Sequence, residues 1–137
     1  MPGDEVMSYE NKPLILIVDD ELTHLRLTEI MLVNDGYRIM TAEHPREALD
    51  LLSDFKPDLL IMDVNMPGLS GTELTGRIRA IDRLQDVPII LVTSHVTDRV
   101  RAVARERGVD MVLEKPLDMS QFKVKVRETI RSRAATA

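Results

Sequence analysis

Five short apolar runs, each followed by a stretch with helical character, constrain the fold of this chain more than any other feature. The runs are predicted to be strands, because they are short and either aliphatic or alternating. They cover Leu14–Val18, Tyr37–Thr41, Asp58–Asp63, Pro88–Thr93 and Met111–Leu113. Strands that alternate with helices favour a parallel sheet covered by helices on both faces. The helical connections between parallel strands are right-handed, so few topologies are compatible with this order of elements.

The segments between the strands carry the spacing and the end signals of amphipathic helices. Apolar residues recur at helical spacing, which predicts that one face of each helix is buried. The predicted helices cover Leu22–Asn34 and Pro45–Asp54, a third opened by the capping box Ser70–Glu73, a fourth ended by Gly108 and a fifth capped by Asp118 and Gln121. In the third helix, Leu74, Ile78 and Ile81 are expected to share the buried face.

The length of the chain suits one domain with its own core. It has 137 residues, of which 44% are hydrophobic and 30% are charged, and this balance is typical of a globular protein. We expect a disordered lead-in over residues 1–12, the domain over residues 13–133, and a tail or the start of a linker over residues 134–137.

The charge and the residue inventory exclude several classes of function. The 18 Lys and Arg residues are outnumbered by 23 Asp and Glu, so the formal net charge of −5 argues against binding to a nucleic acid. The absence of cysteine excludes disulfides, thiol catalysis and Cys-ligated metal sites. No apolar run is long enough to span a bilayer, and the N-terminus lacks the order of a signal peptide. We therefore expect a cytoplasmic protein with no membrane partner.

The residues that can carry chemistry stand at strand ends. Asp19 and Asp20 come directly after the first strand, Asp63 ends the third, Thr93 ends the fourth, and Lys115 follows the fifth. In a parallel sheet all the carboxyl ends lie at one edge, where ligands bind. Three aspartates, a hydroxyl and a lysine are therefore expected to converge.

This set of groups favours a metal ion and a phosphoryl group. Clustered carboxylates repel one another unless a cation joins them, and oxygen ligands together with a phosphate oxygen suit Mg²⁺. A lysine at the same point suits a phosphoryl group better than a bare metal site. Asp63 can then be the attacking oxygen nucleophile.

Four sequence blocks resemble the signature blocks of two-component receiver domains. They read ILIVDDE, LLIMDVNMPGLSG, PIILVTS and EKP, and they occur in the order and spacing of that family between Pro13 and about Arg133. The resemblance implies an α/β fold of the flavodoxin-like kind, a doubly wound (βα)5 domain with a five-stranded parallel sheet in the order 2-1-3-4-5. It also implies phosphorelay signalling, with a sensor histidine kinase or a phosphotransfer protein as the donor and no turnover of an external substrate.

The same resemblance assigns roles to individual residues. Asp63 would be the phosphoryl acceptor. Asp20 would bind Mg²⁺ directly, Asp19 would do so directly or through water, and Asn65 would offer its backbone carbonyl. Thr93 would donate a hydrogen bond to one phosphoryl oxygen.

The resemblance also places Lys115 beside the phosphoryl group, with a peptide bond to Pro116 that is cis in many relatives. Phosphorylation would change the surface formed by the fourth helix, the fifth strand and the fifth helix, and a monomer or a weak dimer through that surface is expected. One position departs from the family. Val112 stands where relatives usually have Tyr or Phe, an aromatic that swings inward on phosphorylation.

Each of these residues also has an ordinary structural interpretation. Asp19 and Asp20 have the residue type of a helix N-cap. Thr93 can be a simple strand-end residue, and Lys115 a solvated lysine before a turn.

The three histidines, His24, His44 and His95, show no metal-ligand spacing. The first two are interpreted as surface or capping residues. His95 lies two residues past Thr93, and we interpret it as an exposed loop histidine.

Other classes of protein compete with the receiver interpretation. An aspartate-nucleophile phosphatase would need a second Asp two residues past the nucleophile, where this chain has Asn65. A nucleotide-binding module would need a glycine-rich loop after the first strand, and the chain has none there. A further alternative is that the chain is the receiver portion of a hybrid kinase, a diguanylate cyclase or a DNA-binding regulator.

Overall fold

The computed structural model describes the backbone of residues 11–136 and the side chains of residues 11–133. The strands are β1 (Leu14–Val18), β2 (Arg38–Ala42), β3 (Leu59–Asp63), β4 (Ile89–Thr93) and β5 (Met111–Glu114). The helices are α1 (Leu22–Leu32), α2 (Pro45–Asp54), α3 (Gly71–Arg79), α4 (Asp98–Glu106) and α5 (Met119–Thr136). A single turn of 3₁₀ helix, Asp82–Leu84, lies between α3 and β4.

All five strands are parallel and form one sheet in the order β2-β1-β3-β4-β5. The predicted fold is therefore confirmed, including the strand order that the resemblance implied. Most of the predicted lead-in, residues 1–10, lies outside the described residues. At the other end, the α5 backbone stays helical through Thr136, which includes most of the predicted tail.

The core has two layers, one on each face of the sheet. In β1, Leu16 and Val18 belong to the layer on one face, whereas Ile15 and Ile17 belong to the layer on the other. Every residue of β1 is buried. Because both faces are covered, this strand has a continuous aliphatic sequence instead of an apolar and polar alternation.

The end of α3 differs from the sequence prediction. The helix ends at Arg79, and Ile81 lies beyond it with 38% of its surface exposed. The 3₁₀ turn that follows carries Leu84 into the core, where that residue is fully buried. The prediction that Ile81 belongs to the buried face of α3 was therefore wrong, because the chain leaves the α-helix before the next turn is completed.

The capping predictions fare better. Ser70 and Glu73 form the reciprocal capping box at the start of α3, and the Asp118 carboxylate accepts a hydrogen bond from the Gln121 N–H at 2.9 Å near the start of α5. Within residues 11–136, no helix combines the length and the apolar character that a membrane span requires.

Candidate functional site

Three aspartates meet at the carboxyl edge of the sheet, as the sequence predicted. Asp19 and Asp20 follow β1, and Asp63 is the last residue of β3. One carboxylate oxygen from each residue lies within 4.8 Å of the others. Asp19 and Asp63 are buried, and Asp20 is partly exposed, so the cluster can be reached from solvent on one side.

The local geometry rejects the interpretation of Asp19 and Asp20 as helix caps. The N-cap residue of α1 is Glu21, which makes no side-chain capping hydrogen bond. Asp19 instead accepts a hydrogen bond from the Glu21 N–H through Oδ1 at 2.9 Å. This bond leaves Oδ2 of Asp19 available to Lys115.

A close approach between β3 and α3 helps to place Asp63. The Gly71 N–H donates to the Val64 carbonyl at 2.8 Å. A Cβ atom at Gly71 would lie only 2.3 Å from the Asp63 carbonyl oxygen. Glycine is therefore required at the first residue of α3, because any side chain would push the helix away from the end of β3.

Lys115 reaches the carboxylates from the loop after β5, the strand at one edge of the sheet. Its Nζ lies 3.1 Å from Asp19 Oδ2 and 3.6 Å from Asp63 Oδ1. Its backbone N–H donates to the Thr93 carbonyl at 2.8 Å, and its peptide bond to Pro116 is cis, as the resemblance implied. The interpretation of Lys115 as a solvated surface lysine is wrong, since only 17% of its side chain is exposed.

Thr93 completes the group of predicted residues at this edge. It is almost fully buried, and its hydroxyl both donates to the His95 carbonyl and accepts from the His95 N–H, each at 3.3 Å. The side-chain amide of Asn65 donates to the same hydroxyl at 3.4 Å. The Thr93 hydroxyl therefore ties the loop after β4 to the loop after β3.

The electrostatics of the cluster favour a bound cation. Burial raises the pKa of Asp63, and the neighbouring charges of Asp19 and Asp20 raise it further, while Lys115 and the Asn65 N–H lower it. One ammonium group faces three carboxylates, so negative charge remains in excess when all three are ionised. Carboxylate oxygens are hard ligands, and the set fits the preference of Mg²⁺.

Sequence reasoning missed one residue at this site. His24, in the first turns of α1, places Nδ1 3.0 Å from Lys115 Nζ. Its position four residues after Asp20 put it near the same strand end, but no spacing rule connects a histidine on the first helix with a lysine after the last strand.

Comparisons with known proteins assign the family. The sequence profile of the response regulator receiver domain matches residues 15–127. The polar-differentiation response regulator DivK of Brucella anthropi is 30% identical over 118 residues, which cover 86% of this chain and 93% of DivK. This chain belongs to the response regulator receiver family of two-component signalling systems.

Longer relatives match only in part. The transcriptional regulatory protein AfsQ1 of Streptomyces coelicolor is 36% identical over 118 residues, which cover 86% of this chain and 51% of AfsQ1. The chain thus spans about half the length of that regulator and most of the length of DivK. The function common to the family is phosphorelay signal transduction.

A solved structure adds information on the site. The receiver domain of the sensor histidine kinase PA1611 from Pseudomonas aeruginosa is 27% identical to this chain, with a TM-score of 0.79. The match covers 87% of this chain and 98% of that domain, which was crystallised with a magnesium ion coordinated in its active site cleft.

Proposed function

We propose that Asp63 accepts a phosphoryl group from a sensor histidine kinase or a phosphotransfer protein, in a reaction that depends on Mg²⁺. The observation that carries this proposal is the convergence of Asp19, Asp20 and Lys115 around the Asp63 carboxylate. Asp19 and Asp20 would hold the metal ion with Asp63, and the Asn65 carbonyl would be a fourth protein ligand. When bound, Mg²⁺ would neutralise charge on the phosphoryl oxygens.

The chemistry is a phosphoryl transfer to a carboxylate. An oxygen of Asp63 attacks phosphorus, the bond from phosphorus to the donor atom breaks, and an acyl phosphate forms on the aspartate. The Lys115 ammonium, 3.6 Å from Asp63 Oδ1, is close enough to pair with a phosphoryl oxygen. The Thr93 hydroxyl can donate to another, provided that it exchanges its present bond to the His95 carbonyl.

The exchange at Thr93 supplies the switch. The hydroxyl holds the backbone of His95, so its movement toward a phosphoryl group would release the loop that leads into α4. The response would then reach the surface formed by α4, β5 and α5. Partners would read this surface, either an output domain of a larger regulator or a second protein in the relay.

This role involves no turnover of an external substrate, because the acceptor is a residue of the chain itself. We also propose that the domain acts without binding nucleic acid, in line with its net charge of −5. The cytoplasmic location and a weak dimer through α4, β5 and α5 stay predictions.

The direct test uses a small phosphodonor such as acetyl phosphate with excess Mg²⁺ and records the intact mass. We expect the wild type to gain one phosphoryl group, and the gain to disappear in Asp63→Asn and in the presence of a chelator. Asp54→Asn, which changes an exposed aspartate at the end of α2, is the matched control and should be phosphorylated normally. A full phosphoryl gain in Asp63→Asn would refute the assignment.

A further inference from the structure

Among the described side chains, His24 is the one histidine whose ring forms a hydrogen bond with a predicted site residue, Lys115. Its Nδ1 lies 3.0 Å from the Nζ of Lys115, a hydrogen-bond distance across 91 residues of sequence. An ammonium group has only donors, so Nδ1 must act as the acceptor in this contact. The contact therefore exists only while Nδ1 of His24 carries no proton.

The contact is one of two short contacts that orient the ammonium group. Lys115 has three N–H groups, of which one is directed to Asp19 Oδ2 at 3.1 Å and one to His24 Nδ1 at 3.0 Å. The third remains, and the other carboxylate paired with Lys115 is that of Asp63, whose Oδ1 lies 3.6 Å from Nζ, beyond a good hydrogen bond. With two donors engaged, the free N–H faces Asp63, where a phosphoryl oxygen would arrive.

The same ring nitrogen has a second possible partner of opposite charge. Glu21 Oε2 lies 3.6 Å from Nδ1 of His24. A protonated Nδ1 can donate to this carboxylate but can only repel the ammonium of Lys115. The groove lined by His24 and Lys115 adds no further charge, because its other lining residues are uncharged: Leu27, Thr28, Met31, Ser94, Pro116 and Leu117.

We propose that His24 is a positioning residue for Lys115, which in its neutral form holds the ammonium in the orientation that receives the phosphoryl group. Protonation of the imidazole turns the ring toward Glu21 and releases Lys115, so the rate of phosphorylation depends on whether His24 is protonated. This inference rests on the proposed role of Asp63 and extends it to the control of the lysine.

The first test compares phosphorylation rates with acetyl phosphate and excess Mg²⁺ between pH 5.5 and 8.5. His24→Leu removes the acceptor and fills the space beside the groove with an apolar side chain. It should lower the rate of phosphorylation about three- to tenfold at high pH, the range for the loss of one hydrogen bond. The ratio of wild-type to His24→Leu rates should fall toward one as the pH is lowered. His24→Asn, whose Oδ1 occupies the place of Nδ1, should restore most of the rate and remove this pH dependence.

The matched control is His44→Leu, which removes an exposed histidine at the start of α2 that makes no side-chain capping bond. It should behave as the wild type at every pH. Equal rates for wild type and His24→Leu throughout the range would overturn the proposal, and so would a loss in His24→Asn as large as in His24→Leu.

A second measurement does not depend on phosphorylation. The NMR signals of the Lys115 side chain, recorded in metal-free protein against pH, should change together with those of the His24 ring in the wild type. This shared change should be absent in His24→Leu. Lysine signals that ignore His24 would overturn the positioning role even if Asp63 is phosphorylated. Conversely, if the wild type gains no phosphoryl group, the proposed function fails while the coupling between His24 and Lys115 is still decided by these signals.

Discussion

The two ends of the parallel sheet differ in how their charged side chains are paired. At the carboxyl end, three aspartates share one lysine and burial raises the pKa of Asp63. At the amino end of β4 and β5, the guanidinium of Arg79 donates to five backbone carbonyls, those of Leu84, Gln85, Val87, Arg107 and Gly108. Nearby, Arg133 makes two bonds of 3.1 Å to the carboxylate of Asp110.

The charge at the amino end serves the fold, whereas the charge at the carboxyl end is available to a ligand. Arg79 is saturated with acceptors that belong to the chain, so it joins the end of α3 to the starts of two strands and leaves little capacity for a ligand. At the opposite end, three carboxylates lie near one ammonium group, so negative charge is in excess. A divalent metal ion can balance this excess of negative charge, and the bound ion together with Lys115 can then hold the negative phosphoryl group.

The largest effect on stability is expected at the amino end. Arg79→Met would leave five carbonyls without their shared donor, and we expect the free energy of unfolding to fall by about 2–4 kcal/mol. Arg77→Met is the matched control, since Arg77 is an exposed residue of the same helix and should change stability by less than about 0.5 kcal/mol. Urea titration would measure both, and equal losses would show that the carbonyl contacts of Arg79 are unimportant.

A smaller effect of opposite sign is expected at the carboxyl end. Because the pKa of Asp63 is raised in the folded state above its ordinary value of 3.8, the folded protein holds this proton more tightly than the unfolded chain. Stability is therefore lost as the pH rises through the raised pKa, and below pH 3.8 the loss is absent. In metal-free buffer at pH 7, Asp63→Asn should melt a few degrees above the wild type, and this advantage should vanish on acidification.

Thermal midpoints recorded between pH 3 and 8 in a chelator would check this expectation. Excess Mg²⁺ should reduce or reverse the difference, because the wild type gains binding energy that Asp63→Asn has partly lost. If Asp63→Asn is less stable than the wild type at pH 7 without metal, the expected repulsion between the carboxylates is contradicted.

The smallest expected effect concerns Val112, which is partly buried and packs against the same core layer as Val100. Valine is short and stiff at χ1, so it cannot swing as an aromatic does. We expect beryllofluoride, a phosphoryl mimic, to change amide chemical shifts mainly in residues 94–103 and little at Val112. Thr93→Val lacks the hydroxyl that holds His95 and should lose most of this response. Largest changes at Met111–Leu113, with residues 94–103 silent, would contradict the proposed relay.

Most of the fold follows from local signals. The strand ends that carry Asp19, Asp63 and Thr93 were predicted correctly, since buried parallel strands appear as aliphatic runs and their polar ends stand out. The end of α3 was not predicted, because residues 77–80 contain no glycine or proline and helical spacing alone does not show where a helix stops.

The convergence of the strand ends was predicted, but two other contacts between distant segments were not. Arg79 has the sequence context of an ordinary arginine in the last turn of a helix, yet its partners lie on the 3₁₀ turn and at the starts of two strands. His24 and Lys115 are 91 residues apart. Their contact depends on the position of α1 relative to the loop after β5, which only the assembled sheet defines.

The central claim is that Asp63, in the cluster of excess negative charge at the carboxyl end of the sheet, accepts a phosphoryl group. The most direct measurement treats the phosphorylated protein with sodium borohydride, which reduces an acyl phosphate to an alcohol, and then maps the modified residue by peptide mass spectrometry. We expect homoserine at position 63, with Asp19 and Asp20 unchanged. Homoserine at another aspartate, or a stable phosphoryl group that borohydride does not remove, would contradict it.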